Sequence, residues 1–252
     1  MRMLFNPSQA DPPSQVEVQV PGGVVPQGDM DRVMAFSEGL VEGWSLGGRK
    51  IADWYPGFPR GERVRYVGCH FDGLAVESWM CQDVEFVDCE FTNLRVKKWV
   101  FERAAMRGCR VQGTAKDVLW WGESSAVGGG AGVIDGNDLT ELKFSGPCSQ
   151  RAGLAVVGNR FAHSAFVTDD RAAIVKAAEK LLAVADGLAE GDAARCEQAL
   201  RFAREDLATG QSEWFFPEQS GRQAGWSRQM VELLRRAAES RQSPASRAAA
   251  RR

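Results

Sequence analysis

Residues 64–123 read, in blocks of twenty, VRYVGCHFDGLAVESWMCQD (64–83), VEFVDCEFTNLRVKKWVFER (84–103) and AAMRGCRVQGTAKDVLWWGE (104–123). An apolar or small residue recurs every five positions: Val64, Cys69, Leu74, Trp79, Val84, Cys89, Leu94, Trp99, Ala104, Cys109, Thr114 and Leu119. A second follows each by two: Tyr66, Phe71, Val76, Cys81, Phe86, Phe91, Val96, Phe101, Met106, Val111, Lys116 and Trp121. Only Thr114 and Lys116 break the pattern, and the residues between are mostly charged, polar or Gly.

Neither an α-helix nor a single strand sustains a period of five. A solenoid with four short sides per turn does, because each five-residue side turns two side chains inward before the chain bends. The twenty-residue super-period supports the same geometry independently. It stacks Val64, Val84 and Ala104 on one side, Cys69, Cys89 and Cys109 on the next, Leu74, Leu94 and Thr114 on the third, and Trp79, Trp99 and Leu119 on the fourth. Like residues then form ladders with a spacing of about 4.8 Å.

At these residues the chain resembles the pentapeptide-repeat family, with units such as CHFDG, CEFTN and CRVQG. The resemblance implies a right-handed quadrilateral β-helix over about a quarter of the chain. Two departures stand out. Trp79 and Trp99 sit where the family prefers small side chains, which predicts a distorted corner, and the family's Asp or Asn before the central residue is largely missing. The period is not the six of left-handed acyltransferase helices.

Outward from this core, residues 1–28 are rich in Pro, Gln and Ser and read as a flexible segment with one short strand at Val16, Val18 and Val20. Residues 29–63 are expected to form a helix and an N-terminal cap. Asp29 or Asp31 caps the helix, Val33, Met34, Phe36, Leu40 and Val41 line it, and Gly43 closes it. Trp44, Trp54, Tyr55 and Phe58 among prolines and glycines supply the rest of the cap.

The solenoid is expected over 64–168, interrupted by a Gly-rich loop at 122–138. A partial fourth turn resumes at Leu142, Phe144 and Cys148, with Leu154, Val156, Phe161 and Phe166 out of strict register. Residues 169–240 read as a helical cap domain. One helix runs from Asp169–Asp170 to Gly187 and a second from Asp192 to Gly210, with Trp214–Pro217 as an apolar connector. A third carries Trp226, Met230, Leu233 and Leu234, and the tail 241–252 reads as disordered. The fold class is therefore mainly β with α: the solenoid followed by a small helical region that covers its open end.

Hydrophobic residues are 44% of the chain and charged residues 25%, as in ordinary soluble domains. No apolar run approaches the ~20 residues that cross a bilayer, and the N-terminus lacks a signal-peptide h-region. A cytoplasmic location is the resulting expectation. The net charge of −2 favours neither a nucleic-acid binder nor a polyanion mimic.

Cys69, Cys89 and Cys109 point the same way in a line, which suits a core thiol ladder and neither a zinc tetrahedron nor a disulfide. Cys81, Cys148 and Cys196 share no motif. His70 precedes a central Phe and should face solvent. His163 sits beside Ser164, but adjacent residues on an extended segment point apart, so no Ser–His pair is expected. GGGAG at 128–132 lacks the Lys-Ser/Thr of a phosphate loop. No metal and no cofactor is expected.

Charge on the solenoid is bipolar. Asp72, Glu77, Asp83, Glu85, Asp88 and Glu90 precede Arg95, Lys97, Lys98, Arg103, Arg107, Arg110 and Lys116. Adjacent turns could pair these charges. Alternatively Asp72, Glu77, Glu85, Asp88, Glu90, Arg95, Lys97, Lys98, Arg103, Arg107 and Arg110 form a docking face. The leading expectation is a non-enzymatic scaffold that binds another protein, or a second copy as a homodimer, with no direct contact to nucleic acid or membrane. The resemblance supplies an alternative, a DNA mimic that binds a type II topoisomerase such as gyrase and protects it from inhibitors. Three turns spanning ~15 Å with half the surface basic argue against it. The remaining alternative is an enzyme with a carboxylate site between solenoid and helices.

Overall fold

A computed structural model of the chain describes residues 30–33, 39–57, 63–122, 132–151, 153–162, 166–168, 171–183, 190–208 and 214–216. The expected strand at Val16–Val20, His163, the third helix and the tail lie outside these residues.

The described chain is mainly β and lays its strands down in parallel passes. A short strand, β1 (Met30–Val33), precedes the first pass, β2 (Leu40–Glu42), β3 (Ser45–Gly47) and β4 (Lys50–Trp54). The second pass is β5 (Val64–Val67), β6 (His70–Asp72) and β7 (Ala75–Gln82), and the third is β8 (Val84–Val87) and β9 (Glu90–Glu102). The fourth is β10 (Ala105–Arg107) and β11 (Arg110–Trp121), and the fifth is β12 (Val133–Asp135), β13 (Asp138–Leu139) and β14 (Leu142–Arg151). A partial pass, β15 (Ala155–Val157) and β16 (Arg160–Phe161), ends the stack. Beyond it, β17 (Phe166–Thr168), α1 (Arg171–Ala183), α2 (Glu190–Ala208) and β18 (Trp214–Phe216) follow, with β17 and β18 paired antiparallel.

The passes pair in the twenty-residue register read from the sequence. Val64 lies opposite Val84, His70 opposite Glu90, and Trp79 opposite Trp99. The strands sort into a ten-stranded and a six-stranded sheet, both parallel, and neither closes into a barrel. Inward side chains fill the space between them. Val64, Tyr66, Leu74, Trp79, Phe86, Phe91 and Phe101 are all fully buried. Like rings stack one strand spacing apart: Phe71 on Phe91 at 4.7 Å, and Trp54, Trp79 and Trp99 in a column at 4.8 Å per step. The distortion expected at the tryptophans is absent, since β7 and β9 keep an unbroken register from Ser78↔Lys98 through Met80↔Val100. Each indole has another of the same width to stack on, so the wide column is self-consistent.

The bends recur in register too. Gly43, Gly68, Asp88, Gly108, Gly136 and Gly158 all hold left-handed φ between 51° and 64°. Each of the first five donates its amide to the next pass: Gly43 to Val67, Gly68 to Val87, Asp88 to Arg107, Gly108 to Asp135 and Gly136 to Val157. The column takes Gly or Asp because those residues reach αL at least cost.

Four expectations are corrected. Where it is described, the helix expected from Asp29 to Gly43 is replaced by β1 and β2, and β2, β3 and β4 form a further parallel pass in place of a cap. Val41, Leu46 and Ile51 continue the five-residue period and pair with Tyr66, Phe71 and Val76, while Gly39, at φ 80° inside the expected helix, is incompatible with one.

In the fourth pass the inward residues are Ala115, Val118 and Trp120, whereas Thr114, Lys116 and Trp121 are exposed and Leu119 is half-buried. The pass is one residue shorter between Val111 and Gly113, and every side chain after the bend shifts accordingly.

The interruption expected through residue 138 ends sooner, because β12 re-enters the stack at Val133. Leu142, Phe144 and Cys148 belong to the complete fifth pass and Leu154, Val156 and Phe161 to the partial one, while Phe166 leaves the stack for β17. Finally, α2 begins at Glu190, so Asp192 lies in its first turn and does not cap it, and the connector at Trp214 is a strand.

Candidate binding surface

Because strands repeat in register, outward side chains meet their counterparts one pass away. On one column His70, Glu90, Arg110, Asp138 and Arg160 follow each other across β6, β9, β11, β13 and β16. From Glu90 to Arg160 the charges alternate along it. His70 lies 3.4 Å from Glu90, Arg110 lies 3.7 Å from Glu90 and 2.8 Å from Glu141, and Arg160 pairs with Asp138. The carboxylates around Arg110, Glu141 first, hold its guanidinium above its ordinary pKa.

A second run of charges crosses the six-stranded sheet, stepping diagonally between Glu85 and Arg107. Arg65 pairs with Glu85 at 2.8 Å, Glu85 with Arg107 at 3.2 Å, and Arg107 with Asp135 at 3.2 Å. At a third, Arg103 donates from Nε and Nη2 to Asp83 at 3.0 and 2.7 Å, and Gln82 donates to Glu102 at 2.8 Å. The two-toothed contact with Asp83 is the main cause that raises the Arg103 pKa.

The eleven residues of the expected docking face are thus divided. Glu85 with Arg107, Glu90 with Arg110, and Glu77 with Lys97 at 2.6 Å neutralise each other across passes, and Arg103 is taken by Asp83. Asp72 accepts from Thr92 and Asn93, which hold its carboxyl below the usual range. Asp88 is exposed at its bend. The acidic-then-basic split of the sequence is therefore mostly closed by pairs between neighbouring passes.

Arg95 and Lys98 stand apart. They project from the long face built by β4, β7, β9, β11 and β14, where Lys50, Ala75, Arg95, Thr114 and Lys143 fall in one row. Lys97 and Lys116 occupy the adjoining row, next to the paired Val96 and Ala115. All six cations are exposed. Among the described residues only Lys97 has an acidic partner, Glu77. Lys50 and Lys143 escaped the sequence reading because they lie outside 64–123. The signal for Lys50 was the five-residue period carried back through Val41, Leu46 and Ile51.

The thiols have no part in this surface. Cys69, Cys81, Cys89 and Cys109 are buried and free. Cys69 Sγ donates to the Val41 carbonyl at 3.6 Å and Cys89 Sγ to Tyr66 at 3.3 Å. The neighbouring Cys109 thiol is the main cause that pushes Cys89 up to about 12, and burial does the same for Cys148. The ladder continues as Asn137 and Asn159, whose amides donate to the Met106 and Ile134 carbonyls at 2.9 and 2.7 Å. Among the described residues no cluster of His, Cys, Asp and Glu could hold a metal ion, and no helix is long and apolar enough to cross a membrane. No family model, curated protein or solved structure matches the chain.

Proposed function

We propose that the chain is a non-enzymatic protein-binding scaffold located in the cytoplasm, built on a right-handed, four-sided pentapeptide-repeat β-helix. The observation that carries the reading is the outer surface itself. Its charged side chains are fixed in rows by strand register, and ion pairs between passes tie most of them down. A rigid display of this kind loses little conformational entropy when a partner docks, which favours specific recognition by a broad face. The four-sided cross-section draws support from the five-residue recurrence of inward residues and left-handed bends.

The topoisomerase-mimic alternative gains length, since five passes span roughly 24 Å. It loses charge, because Asp83, Glu85 and Glu90 are each matched by a cation. A mimic needs those carboxylates bare.

The test is quantitative affinity capture from the native host, followed by binding of the recovered protein to the purified chain. A partner that binds the full chain and is competed by soluble chain is the expected result. Failure of any protein to exceed a control bait, or protection of gyrase supercoiling against a fluoroquinolone at few-fold excess, overturns the scaffold reading.

A further inference from the structure

The outward charges are unevenly compensated. The runs of charge through Glu85 and Glu90 alternate in sign and pair internally. The long face of β4, β7, β9, β11 and β14 does not. There Lys50, Arg95, Lys98, Lys116 and Lys143 are exposed and carry no ion pair among the described residues. Unpaired charges of one sign on a shared face repel one another, so the face gains from any anion that lies across it.

We propose, on the premise that the chain is a binding scaffold, that this face docks an acidic segment of a protein partner, an extended stretch rich in Asp and Glu. Between the cations the outward positions are small: Ala75, Ser78, Thr114 and Ser145. They form a low floor on which a chain can lie flat. Cations in the row of Lys50, Arg95 and Lys143 lie two strand spacings apart, about 9.6 Å, and same-side residues of an extended peptide roughly 6.6 Å apart. The long stems of Lys and Arg absorb that mismatch.

Three features favour a polypeptide over nucleic acid. No aromatic ring stands among the outward residues of these rows, and the exposed Trp121 at the far end of β11 is a single ring, so a run of bases has no platform to stack on. Asp53, Glu77 and Asp117 lie among the cations, and a continuous phosphate chain would meet them as like charges. A peptide of mixed sequence places its own polar or basic residues there. The whole chain carries −2 and offers a long polyanion no general attraction.

The experiment is fluorescence anisotropy on the full chain with two probes, a labelled peptide alternating Glu and Ser and a labelled DNA duplex. Saturable peptide binding that weakens as salt rises is expected. The double variant Arg95→Glu, Lys98→Glu should weaken it by at least about tenfold. Lys176→Glu, Lys180→Glu makes the same change of charge on the exposed side of α1 and should leave it within about twofold. Circular dichroism checks that both variants fold. Equal loss in the two variants, duplex binding as tight as peptide binding, or no binding of the peptide each overturns the proposal. If a partner captured from the host stays bound to Arg95→Glu, Lys98→Glu, the scaffold reading stands and the basic face falls.

Discussion

Asp72 is fully exposed, yet its carboxylate accepts hydrogen bonds from Thr92 Oγ1 at 2.6 Å and Asn93 Nδ2 at 2.9 Å. Both donors come from the next pass, so the folded stack favours the charged form and lowers the pKa. The sign of the linkage follows. A carboxyl whose native pKa lies below its unfolded value, about 3.9, contributes stability that is fully present above that value. The contribution is lost as pH falls from there through the depressed native pKa. Carboxyl-carbon NMR titration should place Asp72 below an ordinary aspartate, and Thr92→Val should move it back up. A midpoint at the ordinary value in the unsubstituted protein would mean the donors are not engaged in solution. Arg103 and Asp83 show a second use of such contacts between passes. Both hold left-handed φ of 50°, a conformation that costs a non-Gly residue about 1–2 kcal/mol, and their mutual two-toothed contact helps offset it.

At the scale of elements, the third and fourth passes differ by one residue, and that difference shows what register controls. Thr92 and Asn93 separate Phe91 from Leu94, whereas Gln112 alone separates Val111 from Gly113. The shorter bend drives Gly113 against Leu94, where a Cβ would lie 2.0 Å from the carbonyl oxygen, so only glycine fits. One residue inserted after Gln112 restores the longer bend and should cost under about 1 kcal/mol, because the extra residue stays outside the ladders. The same residue inserted after Ala115 carries Asp117 into the inward slot of Val118 and turns Val118 and Trp120 outward. With about 1.5–3 kcal/mol for each buried apolar side chain, it should cost at least about 3 kcal/mol in urea denaturation. Similar losses for the two insertions would show that strand register does not hold this pass. The same physics sets what was legible in the sequence. The middle passes announced themselves because the five-residue period ran unbroken from Val64 to Val111. The first and fifth passes did not, because a ladder forms whatever the length of the loop that delivers the strand. Val41 reaches Tyr66 across the Pro- and Gly-rich segment, and Met106 reaches Ile134 across the Gly-rich one. The candidate surface was half legible: charged outward positions follow from the period, but which of them neutralise each other depends on neighbours a full pass away.

Across the whole molecule, each pass touches only its neighbours, so stability propagates along the axis as a chain of local interfaces. Among the described residues Arg151, at the end of β14, ties the helical pair to that chain. Its Nε donates to Asp206 at 3.0 Å and its Nη2 to Glu205 at 3.1 Å, and the guanidinium lies 4.2 Å from the Phe202 ring centre. Asp206 is 2% exposed, so the pair is shielded from water on the helix side and gains more than a surface ion pair would. Arg151→Ala removes two charge-assisted hydrogen bonds at once, one of them to the buried Asp206. Protection of the α2 amides against hydrogen exchange should fall by about 1.5–3 kcal/mol, while β7 and β9, more than one pass away, keep theirs. Arg151→Lys restores the charge but not the planar fork, so it should recover only part of the loss. Faster exchange throughout the stack would mean that the helices are a structural member of the stack. Unchanged exchange in α2 would mean that something other than Arg151 holds them. The predicted outcome, loss confined to α2, makes the helical pair a separately opening unit on a rigid stack, so the basic face on β9 and β11 keeps its geometry whether or not the helices are seated.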